Sequence, residues 1–283
     1  MLITNTDCLP SPIPELASQG IYIPTEGVFR VTELIGPPMI RRLMMNKHRD
    51  IVFDASDAVP ALIGNGWHAY MKSYNLPGTL QETRLSMEVD GAKITGSPDL
   101  FTEASGWLND FKTASTWAWV FGKNEWIAQL NIYAELLRLA GYKVSRLTDT
   151  LVFLGWSATE ASRKPVEEYP PKRVMVVEQN LWTPEQTLEF IRIRLETHKN
   201  YVPCTEEERW GRGGSFAIVK PGASRATRVC ETKEEAVSYC KDKGLMVQYI
   251  TERPKTYMRC ERYCPVRSVC PVALAMKHTT EET

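Results

Sequence analysis

Several classes of protein are excluded by what this sequence lacks. It has no excess of either charge: 34 basic residues stand against 34 acidic ones. No global basic field therefore marks it as a polyanion binder, and any contact with nucleic acid must come from local patches. There is no run of about 18 or more apolar residues, so no membrane span is expected. The opening stretch MLITNTDCLPSPIPELASQG has neither a basic n-region nor an apolar h-region, so no signal peptide is expected and a cytoplasmic location follows. No internal repeat or low-complexity tract is present. The seven cysteines of a chain without an export signal point away from a disulfide framework and toward metal binding or burial.

What is present suits a folded protein. With 283 residues and 43% hydrophobic content, the chain can build one large domain, or a core plus a small appendage. Proline makes residues 1–29 read as an irregular N-terminal segment. Residues 30–200 read as the core and 201–283 as the appendage. Short helical pieces broken at Pro37-Pro38 come first, then a helix from Pro60 to Tyr74. The runs ETRLSMEV and AKITGSPDLF are strand-like and joined by Asp90-Gly91, a strong hairpin signal. A third strand, WLNDFKTA, follows Ser105-Gly106. NEWIAQLNIYAELLRLAGY is an amphipathic helix stopped at Gly141, and TDTLVFLGWS is the next strand. VMVVEQNLW is a further strand. Thr183 and Pro184 give an N-cap and first residue to a helix reaching about Asn200. SFAIVK and ATRVC form a small hairpin around Pro221-Gly222, and KEEAVSYCKDK a short helix.

The chemistry concentrates after the hairpin. Asp99 follows Pro98, and after ten intervening residues comes Asp110-Phe111-Lys112. Side chains alternate along a strand, so Asp110 and Lys112 share a face. Asp99, at the end of the preceding strand, can converge on them, with the Phe111 carbonyl close by. Carboxylates are hard ligands for Mg²⁺, and a lysine supplies fixed positive charge to a strained phosphate. An exposed Asp-x-Lys strand after an ordinary Pro-Asp turn is the plain alternative. Gln129 and Tyr133 lie four apart on one face of the following helix; the glutamine can bond a water, a phosphate or the lysine. His68 can offer an imidazole nitrogen to a metal, or serve as a hydrogen-bonded structural residue. Glu82 is a further ligand candidate, weighed against a salt bridge or an exposed position.

A second signal lies in the tail. Cys260, Cys264 and Cys270 form a tight cluster of soft ligands suited to zinc or an iron–sulfur centre. Cys204 is the candidate fourth ligand, ahead of Cys8, Cys230 and Cys240, and would staple the appendage at both ends. For nucleic-acid contact, Trp117, Trp119 and Trp126 near Lys123 can stack on unpaired bases or pack in the core. Arg209, Arg212, Lys220, Arg225 and Arg228 can follow a phosphate backbone or form a solvated hairpin.

Taken in order, Gly-Asn-Gly-Trp-His68, Gly-Ser-Pro98-Asp99, Asp110-Phe111-Lys112 and Gln129-Leu-Asn-Ile-Tyr133 resemble the PD-(D/E)xK nuclease superfamily. The likeness is closest to the RecB-like branch, which includes phage exonucleases and CRISPR-associated nucleases, and it covers about residues 30 to 157. It implies an α/β restriction-endonuclease-like core of helix, three-stranded antiparallel sheet, helix and strand. It also implies Mg²⁺ or Mn²⁺ on His68, Asp99 and Asp110, a catalytic Lys112, and Gln129 and Tyr133 on the helix behind. Aspartate as second acid is an accepted variant. Several members carry a [4Fe–4S] cluster on three C-terminal cysteines and one upstream of the core. Here VTELIGPPMIRR has no cysteine, which leaves Cys204 or Cys8 as substitutes and zinc as the alternative metal. The implied activity is a metal-dependent DNA nuclease, an exonuclease of recombination, repair or phage DNA processing, in a bacterial cell or in host cytoplasm. Its partners would be single-stranded or duplex DNA ends and a recombination or replication protein. A DNA-binding accessory or structural subunit with a vestigial site is the alternative.

Overall fold

A computed structural model of the chain describes residues 1–19, 21–122 and 124–281, with side chains to residue 276. The chain divides into two compact units, Met1–Pro203 and Cys204–Thr283.

In the first unit the order is β1 (Leu2–Thr4), α1 (Ile13–Gln19), β2 (Val28–Arg30), α2 (Val31–Ile35), α3 (Pro38–Lys47), β3 (Val52–Asp54) and α4 (Ala55–Ser73). Next come β4 (Thr79–Leu80), β5 (Leu85–Val89), β6 (Ala92–Gly96), β7 (Leu100–Thr102), β8 (Trp107–Ser115), α5 (Trp117–Phe121) and α6 (Asn124–Leu139). The unit closes with β9 (Arg146–Leu154), α7 (Ala158–Ala161), β10 (Val174–Gln179) and α8 (Pro184–Lys199). The main sheet has the order β10-β9-β8-β7-β4, and a second sheet the order β2-β6-β5. All ladders of the main sheet are antiparallel except β8 with β9, which run parallel from Trp107↔Arg146 to Ser115↔Leu154. A parallel pair needs a crossover, and α6 supplies it.

Two expectations change. Residues 1–29 are not irregular throughout: β1 pairs parallel with β3, and β2 pairs parallel with β6. Proline content describes only local preference, whereas these strands are held by distant partners. Asp54 fixes the first of them by accepting from Thr4 Oγ1 and Thr6 N, and it caps α4 through Ser56 N. That cap starts α4 at Ala55, ahead of Pro60. The single three-stranded antiparallel sheet is also divided. AKITGSPDLF breaks at Ser97-Pro98-Asp99, with β6 staying in the hairpin sheet and β7 joining β8. Pro98 has no N–H to give to a ladder.

The core of this unit packs Ile94, Phe101, Leu108, Leu130, Leu136 and Leu147, among others, around α6. Every residue of α6 from Ala128 to Leu137 is buried, so the helix is covered on more than one side. Its buried polar groups are matched. Asn131 Nδ2 donates to Asn180 O at 2.9 Å, and Trp182 N donates to Asn131 Oδ1 at 2.7 Å.

The second unit holds β11 (Gly211–Arg212), β12 (Ser215–Ile218), β13 (Arg228–Cys230), α9 (Lys233–Asp242), β14 (Ile250–Arg253), β15 (Thr256–Tyr257) and α10 (Pro271–Glu281). β13, β12 and β14 form an antiparallel sheet. Its small core contains Ile218, Cys230, Ala236 and Cys240. Among the described residues, no helix is long and apolar enough to cross a membrane.

Candidate functional site

Strand β8 brings Asp110 and Lys112 to one face, with Lys112 Nζ 2.6 Å from Asp110 Oδ2. Gln129, on α6, closes the group. Its Oε1 accepts from Lys112 Nζ at 2.8 Å, and its Nε2 donates to Asp110 Oδ1 at 3.1 Å. An ammonium only donates and a carboxylate only accepts, so this amide orientation is the one the chemistry requires. Gln129 Nε2 also donates to Tyr133 Oη at 3.2 Å. Tyr133 fits because residue 96 is glycine: a Cβ there would lie 2.5 Å from Tyr133 Cε1 and 2.9 Å from Val31 Cγ2.

Asp99 sits just past the end of the β7–β8 ladder, which stops at Leu100↔Asn109. Its Oδ2 accepts from Phe111 N at 2.7 Å, so the carboxylate takes over where the ladder ends. Its Oδ1 lies 3.3 Å from His68 Nδ1, and Glu82 Oε1 lies 3.5 Å from the same nitrogen. Glu82 is held there by its own backbone, whose N–H donates to Pro98 O at 2.9 Å with φ at +51°. His68, Glu82 and Asp99 each offer a ligand atom, all within 4.8 Å of one another. They line a cavity of about 390 Å³ that Phe111 also borders.

Charge is crowded at this site. The Asp99 and Glu82 carboxylates raise the His68 imidazole to about 10. Burial pushes Asp110 up to about 7, against the pull of Lys112. Burial also works against the charged Lys112, but Asp110, Asp99 and Asp149 outweigh it and hold the ammonium protonated. Asp149 is a residue that sequence reasoning missed. It lies opposite Asp110 in the β8–β9 register, fully buried, and burial pushes it up to about 6 although Gln179 Nε2 donates to it at 2.6 Å. One acid within an apolar strand run was the signal available.

The donor set fits a hard divalent ion. Two carboxylates and an imidazole converge, and such ligands suit Mg²⁺ or Mn²⁺ once the imidazole is neutral. The set differs from the one expected from sequence. His68 and Asp99 are joined by Glu82, while both Asp110 oxygens face Gln129 and Lys112.

In the second unit, Cys264 and Cys270 are buried, and Cys204 and Cys260 half-buried. Burial pushes the Cys204 thiol up to about 12, with Glu208 and then Cys264, Cys260 and Cys270 adding to it. The four thiols are thus within electrostatic reach of each other. Cys230 and Cys240 lie in the separate small core, and Cys8 is exposed in the first unit. Among the described residues, no three sulfurs lie within 4.8 Å of one another. Tetrahedral zinc with bonds of about 2.3 Å needs sulfurs about 3.8 Å apart.

The aromatic and basic candidates divide. Trp119 packs on Phe153 and donates to Val166 O, whereas Trp117 is exposed and stacks on Phe121. Trp126 is half-buried and Lys123 lies outside the described residues. Arg209 stacks over Tyr257 and Arg228 bonds Glu235, so both serve structure within their unit.

No family model matches the chain, and no curated protein matches it. Among solved structures it is similar to SSO0001, at 18% identity over 70% of this chain and 89% of that one, with a TM-score of 0.49. It is also similar to a phage related exonuclease from Haemophilus somnus 129PT, at 15% identity over 66% and 96%, with a TM-score of 0.35.

Proposed function

We propose that this chain is a metal-dependent DNA nuclease of the RecB-like type, an exonuclease hydrolysing phosphodiester bonds in recombination, repair or phage DNA processing. The observation that carries this reading is the closed Asp110–Lys112–Gln129 network standing beside the His68–Glu82–Asp99 group. His68, Glu82 and Asp99 would hold Mg²⁺ or Mn²⁺, with Asp110 and the Phe111 carbonyl adjoining. When bound, such an ion activates water and neutralises charge on the phosphate.

The chain's own groups do the rest. Lys112, kept charged among acids, stabilises negative charge developing on the phosphate and orients the attacking water. Gln129 aims the Lys112 ammonium and restrains Asp110, so neither has to reorganise during the reaction. Tyr133 braces Gln129 from behind. In the second unit, Cys204, Cys260, Cys264 and Cys270 would hold a [4Fe–4S] cluster, with zinc as the alternative metal.

End-labelled single- and double-stranded DNA, incubated with Mg²⁺ or Mn²⁺, tests the activity. Wild-type protein degrades it, and Asp110→Ala and Lys112→Ala each lose about 100-fold or more. Tight DNA binding by the wild type with no cleavage in either metal supports the accessory-subunit alternative instead. A brown, iron-containing protein from anaerobic purification supports the cluster, and one zinc per chain overturns it.

A further inference from the structure

The cavity beside the acidic group has a second wall that hydrolysis does not use. Tyr70 and Tyr74 line it, and both are exposed, at 75% and 77%. They are four residues apart at the C-terminal end of α4, where that spacing stacks side chains on one face. Lys72 stands between them in sequence and lines the same cavity, as do Leu76, Leu100 and Phe111. So one end carries His68, Glu82 and Asp99, and the other carries aromatic and apolar surface with one cation.

We infer that Tyr70 and Tyr74 stack an unpaired nucleobase in this cavity, so that the DNA strand end enters the site single-stranded. The inference deepens the nuclease reading and rests on it. Three observations favour this occupant. Both tyrosine side chains are about three-quarters exposed, so their large faces are left for something else. A base has an apolar face for such rings and a phosphate attached to it, matching a cavity whose apolar wall adjoins Lys72 and the candidate ion site. A cavity of about 390 Å³ is at the small end of ligand sites, the scale of one nucleotide and not of a duplex end. A base taken into such a site must first leave its pair.

The full chain is tested by fluorescence anisotropy, with Ca²⁺ in place of Mg²⁺. The probes are a labelled single-stranded oligonucleotide, the same strand with an abasic residue at each end in turn, and a duplex with hairpin-closed ends. Wild type, Tyr70→Phe/Tyr74→Phe and Tyr70→Ala/Tyr74→Ala are compared after circular dichroism shows equal folding. The alanine variant is expected to bind the ordinary strand about 5- to 150-fold more weakly, following about 1–3 kcal/mol per stacked base. The phenylalanine variant keeps wild-type affinity. An abasic residue at one end weakens wild type by a similar factor and leaves the alanine variant unmoved, and the closed duplex is insensitive to all changes. Equal affinity of wild type and alanine variant for the ordinary strand overturns the inference, as does indifference to both abasic ends. The nuclease reading fails separately: wild type that shows this base-dependent binding but never cleaves in Mg²⁺ or Mn²⁺ keeps the stacking site and loses the hydrolase.

Discussion

Gly96 shows how much of the site depends on one absent methyl group. A Cβ would press on the Tyr133 ring at 2.5 Å and on Val31 at 2.9 Å, and neither buried neighbour has room to retreat. Gly96→Ala should cost about 1–3 kcal/mol as an overpacked core position. It should also displace Gln129 through Tyr133, so the thermal midpoint and the cleavage rate should fall together. Its effect should exceed that of alanine at Gly66, where an added Cβ meets nothing within 4 Å. At this scale the sequence was most readable where geometry is local. The two-residue spacing of Asp110 and Lys112 and the four-residue spacing of Gln129 and Tyr133 each put side chains together without help from the rest of the chain. Glu82 was undervalued because its place depends on a left-handed backbone and a bond to Pro98 O, neither of which local pattern reports. Asp149 was missed because only the β8–β9 register sets it opposite Asp110.

The helices α6 and α8 are tied together by groups that hydrophobic periodicity does not reveal. Asn131 holds Asn180 and Trp182 by their backbones, just before the Thr183 cap of α8. Asn131→Ala would take their partner from those part-buried groups, at about 1 kcal/mol for each bond, and urea unfolding should show a lower midpoint. Near the other end of α8, His198 Nε2 donates to Leu34 O at 3.0 Å. Burial lowers this imidazole from 6.5 to about 4, with Arg194 and Arg41 pushing the same way. The folded chain therefore holds the neutral ring while the unfolded chain takes up a proton below 6.5. The stabilisation is complete above that pH and is lost as pH falls to about 4, a change of roughly 3 kcal/mol. His198→Gln should flatten the dependence in that window, as urea midpoints near neutrality and near the lower limit would show. Turn and cap chemistry made other elements legible. Asp90-Gly91 forms the hairpin with φ of +49° and +77°, and Thr183 accepts from Gln186 N as an N-cap must. The three-residue strands β1, β2 and β3 were not legible, because segments so short carry little pattern and exist only through their partners.

For the whole molecule, the division after Pro203 leaves all the proposed hydrolytic groups and the main core in the first unit. A chain ending at Pro203 should therefore unfold in a single cooperative transition. A broad, non-cooperative melt would show that the division is not one of folding. The second unit has a much smaller core, around Ile218, Cys230, Ala236 and Cys240. Small cores need extra staples. Removal of the proposed cluster should accordingly unfold this unit while sparing the truncated chain's transition.

The dispersal of the site across α4, the turn at Glu82, the break at Asp99, β8 and α6 has a consequence for synthesis. β8 is sandwiched between β7 and β9, and the parallel partner β9 ends only at Leu154. A stalled ribosome or a premature stop before that point releases a polypeptide that spells the motifs without assembling them. Copies that stop short of β9 therefore lack the frame of the proposed site, and cutting would begin only once that strand has paired.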